Sequence, residues 1–231
     1  MSSNARTATL LGALAVLGAS CARGPEAGSK TDTAQAAAPT VTASPGALAT
    51  RREAQETFDS ARAAFQKKDF AAAKTELANA ASFMRNQVQE AQSGAVPALQ
   101  RAAAVFDTLA TQVSAGTVDA KTLDRAFARA NRAEAEHHLL RAKDALAKSD
   151  NSRAGEELTM SVDHLERAMQ DVGRQADAAV KSAMANARTL AGQMMKGAAA
   201  APDEAKKVTD ALADQIRRFD AEFAEGVKVR K

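Results

Sequence analysis

Large apolar residues recur along this chain at spacings of three and four, the signature of a helix face turned toward a core. Ala54, Phe58, Ala61 and Phe65 step by 4, 3 and 4. After the polar break Lys67-Lys68-Asp69 the pattern resumes with Phe70, Ala73, Leu77, Ala80 and Met84. Asp69 is placed to cap the new helix by accepting from its first free amides. The run passes Ser93-Gly94-Ala95-Val96-Pro97 and continues with Leu99, Ala102, Phe106, Leu109 and Val113. Pro97 either kinks one long helix or separates two, and the matching stretch later in the chain, 174–178, lacks a proline, which favours the kinked helix. Gly116 is expected to close it in the left-handed conformation. A third helix, from about Asp119 to Lys148, presents Leu123, Phe127 and Ala130 to one neighbour and Leu139, Ala142 and Leu146 to another. The fourth carries the longest stripe: Leu158, Val162, Leu165, Met169, Val172, Ala176, Ala179, Ala183, Ala187, Leu190 and Met194. The last opens on Pro202-Asp203-Glu204, proline in the first turn and acids at the positive helix end. Its face is Val208, Leu212, Ile216, Phe219 and Phe223. The expected fold is all-α: an elongated antiparallel bundle of about five helices, two of them long, at roughly 65–70 Å each.

The pattern repeats. A shift of 81 positions lays 61–86 on 142–167 without a gap, matching Lys67 to Lys148, Asp69 to Asp150, Ala73 to Ala154, Glu76 to Glu157 and Leu77 to Leu158. The register continues through Gln89/Gln170, Thr108/Thr189, Leu109/Leu190, Gln112/Gln193 and Gly116/Gly197. In an alanine-rich chain these non-alanine identities carry the argument, and they read as a tandem duplication. The first copy spans about 54–136 and the second about 135–225, with the third helix shared. About four residues are inserted before the last helix, where Glu204-Ala205-Lys206 matches Asp119-Ala120-Lys121.

Composition narrows the function more than the fold. The 231 residues are 45% hydrophobic, much of it alanine, with no Trp or Tyr, so any core is thin. The 31 basic and 28 acidic residues are mixed along the helices. That is a solvated surface, and it argues against nucleic acid, whose binders carry basic stripes and stacking aromatics.

The N-terminus has a different character. Met1 to Ser20 carry Arg6, the apolar run Ala8 to Leu17, and then Gly18-Ala19-Ser20, the layout of an export signal. Cys21, the single cysteine, follows at once. The stretch Leu17-Gly18-Ala19-Ser20-Cys21 resembles the lipobox of bacterial lipoproteins, although Leu17 stands one position earlier than that family usually has it. The resemblance implies lipidation of Cys21 and removal of residues 1–20. Ala22, rather than Asp, then implies an outer-membrane anchor facing the periplasm. Residues 21–50, rich in Ala, Thr, Ser, Gly and Pro, are expected to be a linker, and 51–231 the helical bundle.

The repeated hairpin also resembles a tetratricopeptide hairpin. Small residues stand at Ala61, Ala73 and Ala80, an aromatic at Phe65, and Asp69-Phe70 at the turn. It departs from that family in its period of 81 and in a second helix that runs on.

Candidate chemistry is confined to the histidines. There is no phosphate-binding glycine loop, no supported nucleophile triad, and no second cysteine. Glu134 and His137 are spaced i, i+3, and His164 lies level with them across the turn at Asp150, so these three are weak candidates for a divalent ion. Phe83 at the position matching His164 favours a core role instead. The expectation is no metal and no cofactor, because zinc and iron sites need three or four convergent ligands. The favoured reading is a non-enzymatic envelope lipoprotein, a helical scaffold or interaction module with a membrane and envelope proteins as partners. The alternative is a periplasmic helical bundle that binds a metal or small ligand.

Overall fold

The computed structural model describes residues 45–225, and side chains within 55–221. Signal, Cys21 and most of the linker lie outside the described residues. So do the side chains of Ala54 and Phe223.

Seven helices and no strand occur among the described residues: α1 Pro45–Gln66, α2 Phe70–Glu90, α3 Val96–Ser114, α4 Ala120–Ala147, α5 Asn151–Asp171, α6 Ala178–Met195 and α7 Pro202–Glu225. The fold is all-α. Neither long helix forms. At 91–95 the chain turns back so that α3 packs along α2, and Arg85 of α2 pairs across to Asp107 of α3. Three local causes act together: Ala91 is extended at ψ 142°, Ala95 is fully buried in the turn, and Pro97 sits in the first turn of α3, where no amide hydrogen is needed. The second break, at 172–177, reverses α6 onto α5 through left-handed Gly173 (φ 66°). Asp177 then caps α6 by accepting from the Val180 amide at 2.8 Å. Ala179, expected in the apolar stripe, is consequently exposed. Helix α1 also begins at Pro45, inside the stretch assigned to the linker, with proline again in a first turn.

Two apolar clusters result. The first joins α1, α2, α3 and the N-terminal half of α4, with Phe58, Leu77, Met84, Leu99, Phe106, Leu123 and Phe127 inside. Four phenylalanines meet there: Phe58 lies 5.3 Å from Phe106, 5.4 Å from Phe127 and 6.5 Å from Phe83, centroid to centroid. The second joins α5, α6 and α7 to Leu139, Ala142 and Ala145 of α4, with Leu158, Leu165, Leu190, Met194, Leu212 and Ile216 inside. Close approach of α5 and α6 depends on Gly155, where a Cβ would stand 2.7 Å from the Ala191 carbonyl oxygen. Phe70, expected on the apolar face of α2, is instead exposed, resting on Phe65 across the turn at 5.9 Å.

The turns before α2 and α5 have the same geometry. Lys68 and Ser149 take positive φ (60° and 58°). Asp69 accepts from the Ala72 amide at 3.0 Å and Asp150 from the Arg153 amide at 3.2 Å. Gly116 and Gly197 are left-handed after α3 and α6.

Candidate metal centre

Helices α4 and α5 form a hairpin whose contact is built on alanine and serine. Ala135, Ala142 and Ala154 are fully buried, and Ser161 Oγ donates to the Ala135 carbonyl at 2.7 Å. Small side chains let the backbones approach, so the larger polar residues on the same faces are enclosed together. Glu134 and His138 stand one turn apart on α4, where i, i+4 residues share a face. His164 faces them from α5. One ligand atom from each of Glu134, His138 and His164 lies within 4.8 Å of the other two. Glu134 is 0% exposed, His138 3% and His164 4%.

The surrounding polar groups orient the two imidazoles. His138 Nδ1 is 2.8 Å from Glu157 Oε2, and its Nε2 faces Glu134 Oε2 at 3.7 Å, beyond hydrogen-bond range. Asn131 Nδ2 donates to Asp171 Oδ2 at 2.8 Å. The Asn131 oxygen is therefore the acceptor for His164 Nδ1, 3.0 Å away. The two rings stack, centroids 5.4 Å apart and 10° from parallel. Glu157 is held in turn by Arg141, whose Nε lies 2.7 Å from Oε1. Asp171 is held by Arg62 of α1 at 2.7 Å.

Glu134 is among the buried groups left without a partner. Both carboxylate oxygens of Glu134 are buried without a hydrogen-bond partner. Burial pushes its pKa up to about 8, against the opposing pull of Arg141. Burial also pushes His138 down to about 3, assisted by the Arg141 charge. His137 falls to about 3 through burial and then the charges of His138 and Arg141, with Glu157 opposing. Glu157 is raised by burial, with Arg141 opposing. At neutral pH His137 and His138 are therefore neutral, the form in which imidazoles bind metals.

The structure brings together two of the three sequence candidates, Glu134 and His164, and sets His138 with them in place of His137. His137 instead lies edge-on to His138, centroids 5.1 Å apart, its ring nitrogens buried and unpartnered. The signal for His138 was its i, i+4 spacing from Glu134, which competes with the i, i+3 spacing of His137. Nothing in the spacing marked Asn131 and Glu157 as their supports.

Outside this cluster, an open groove of about 580 Å³ runs between α3, α4 and α7. Ala102, Val105 and Leu109 floor it, and Arg101, Arg129 and Arg132 stand along it. No described helix is long and apolar enough to cross a membrane. No family model, curated protein or solved structure matches the chain.

Proposed function

We propose that this chain is a non-enzymatic helical interaction module of the cell envelope, tethered to a membrane by a lipid on Cys21 and holding protein partners on its helical surface. The observation that supports it is the open groove on α3, α4 and α7, apolar along its floor, with Arg101 and Arg129 beside it and Arg132 paired with Asp220. Apolar grooves with charged rims are where partner segments dock. The two halves, in this reading, descend from a tandem duplication of a tetratricopeptide-like hairpin and its following helix, with α4 serving both. Leu77 and Leu158, 81 positions apart, are both fully buried, in keeping with that ancestry. The alternative, a bundle that binds a metal or small ligand inside, is favoured by the unpartnered Glu134 carboxylate.

The test places a photo-crosslinking residue at Val105, or at exposed Lys74 on α2, in the full-length chain expressed in its own cells. The expected outcome is a discrete adduct from Val105 in the membrane fraction, absent from Lys74 and lost when the exposed groove residue Thr108 is changed to Glu. Identical adducts from both positions would refute the groove. Cys21→Ser should move the protein to the soluble fraction, and continued membrane retention would refute the lipid tether.

A further inference from the structure

We propose that Glu134, His138 and His164 bind one divalent transition-metal ion of the zinc class, with Glu157 and Asn131 orienting the two imidazoles. The donor set is two nitrogens and one carboxylate oxygen, a set that zinc uses with a fourth position left for water. Imidazole donors suit zinc, iron, nickel and copper(II), whereas calcium and magnesium take oxygen ligands.

Geometry carries the first step. Bonds of roughly 2.0–2.2 Å in a tetrahedron place ligand atoms roughly 3.3–3.6 Å apart. Glu134 Oε2 and His138 Nε2 already stand 3.7 Å apart. All three ligand atoms fall within 4.8 Å of one another, so shifts of side-chain size close the site.

Tautomers carry the second. Glu157, ionised in its pair with Arg141, accepts, so neutral His138 donates from Nδ1 and keeps its lone pair on Nε2, the nitrogen that faces Glu134. Asn131 commits its amide hydrogen to Asp171, so its oxygen accepts from His164 Nδ1, and the His164 lone pair is likewise on Nε2. A carboxylate or amide behind each imidazole is the arrangement that fixes metal-ligating histidines.

Compensation carries the third. A buried carboxylate with neither oxygen hydrogen-bonded is costly, and native proteins rarely leave one so. Either a proton or a cation must neutralise it, and two preset imidazole lone pairs beside it favour the cation. A narrow pit reaches His164 from the surface between Phe58, Asp59, Arg62, Asp163 and Asp171; at about 10 Å³ it has room for one water. Its aspartates are paired with Arg62, Arg167 and Arg188, so a cation enters by a small local opening that parts these pairs.

The test titrates Zn2+ into the chelator-treated full-length chain, with a chromophoric chelator as competitor and Ca2+ and Mg2+ as controls. One zinc per chain is expected, with a raised melting temperature, and visible bands of low-coordinate cobalt when Co2+ replaces it. Glu134→Gln and His138→Ala should each weaken zinc at least ~100-fold, and the positioning variants Asn131→Ala and Glu157→Gln ~10–100-fold with an altered Co2+ spectrum. His137→Ala should leave affinity within about threefold, since it is not a ligand. Glu134→Gln is close in shape to the parent and removes a buried charge, so it folds and remains an informative variant. No zinc taken up by folded wild-type chain, equal binding of Ca2+, or zinc that survives both Glu134→Gln and His138→Ala would overturn the site. A loss in His137→Ala as large as in His138→Ala would overturn the ligand assignment.

Discussion

Phe83 and His164 stand 81 positions apart, and the two cores of the molecule diverge around them. In the first core Phe83 meets Phe58, which in turn contacts Phe106 and Phe127, so the space between helices is sealed by rings that need no hydrogen-bond partners. In the second, the shift of 81 positions lays Leu139 on Phe58 and Ala187 on Phe106. Much of that ring volume is absent, and the helices close on each other through Gly155 and alanine. The space at His164 is enclosed by imidazoles and carboxylates whose cost depends on their protonation and occupancy. Two hairpins with matching turns thus border one core sealed by aromatic rings and one that encloses titratable groups. Aromatic burial makes the first a stabilising element, while the second holds a site at the expense of packing.

The largest effect expected from this contrast is at Phe106. Phe106→Ala should destabilise by about 3–5 kcal/mol, because the ring is fully buried against two others. The loss should be the same in denaturant titrations at pH 6 and pH 9. A strong pH dependence would erase the distinction between the cores.

Glu134 supplies the opposite behaviour in metal-free chain. Its folded-state pKa, about 8, lies above the ordinary 4.5, so its contribution is present below about pH 4.5 and lost as pH rises through 8. His138 beside it and His137 beyond have depressed values near 3, so their contributions are lost as pH falls from 6.5 toward 3. With chelator present, Glu134→Gln should therefore gain stability at pH 9 relative to wild type and gain nothing at pH 4. The amide is still buried without a partner, so the gain is on the order of 1–2 kcal/mol. Equal stability of the two chains at pH 9 would show that Glu134 is already neutralised within the protein.

The smallest effect sharpens the likeness rather than the difference. Asp69→Ala and Asp150→Ala should each cost about 1 kcal/mol, since each removes one acceptor from a helix N-terminus. Costs differing by more than about twofold would mean that the neighbouring core, not the turn, sets the worth of the cap.

What the sequence made legible was local. Asp69 and Asp150 were readable as caps, and Gly116 as a left-handed closer, because each acts on amides or dihedrals within a few residues. The buried face of α2 was readable from Leu77 and Met84, whereas Phe70 fell at a helix start and faces outward. The two reversals were hidden because apolar spacing continues across them: Val172 and Ala176 keep a four-residue step through a stretch that is not helical. Gly173 followed four residues later by Asp177 was the available signal, and Pro97 its counterpart in the first half. The histidine cluster was half legible. Spacing placed Glu134 near His164, but the rotation of α4 against α5 decides whether His137 or His138 completes the group, and that rotation is set by the alanines between the helices.

Helix α4 belongs to both cores, giving Leu123 and Phe127 to one and Leu139 and Ala142 to the other. In the language of hydrogen exchange, every other helix can be released by opening a single cluster, but α4 is still held along half its length when either one opens. Its central amides, around 130–138, should exchange only through global unfolding, as the slowest in the chain, while α1 and α7 exchange through cheaper partial openings. The residues proposed to hold the ion on α4 thus lie on the segment that visits the open state least often. An ion that enters by a small local opening beside His164 leaves by the same route, so its residence would report the cost of that opening, with the two α4 ligands as the fixed side of the site.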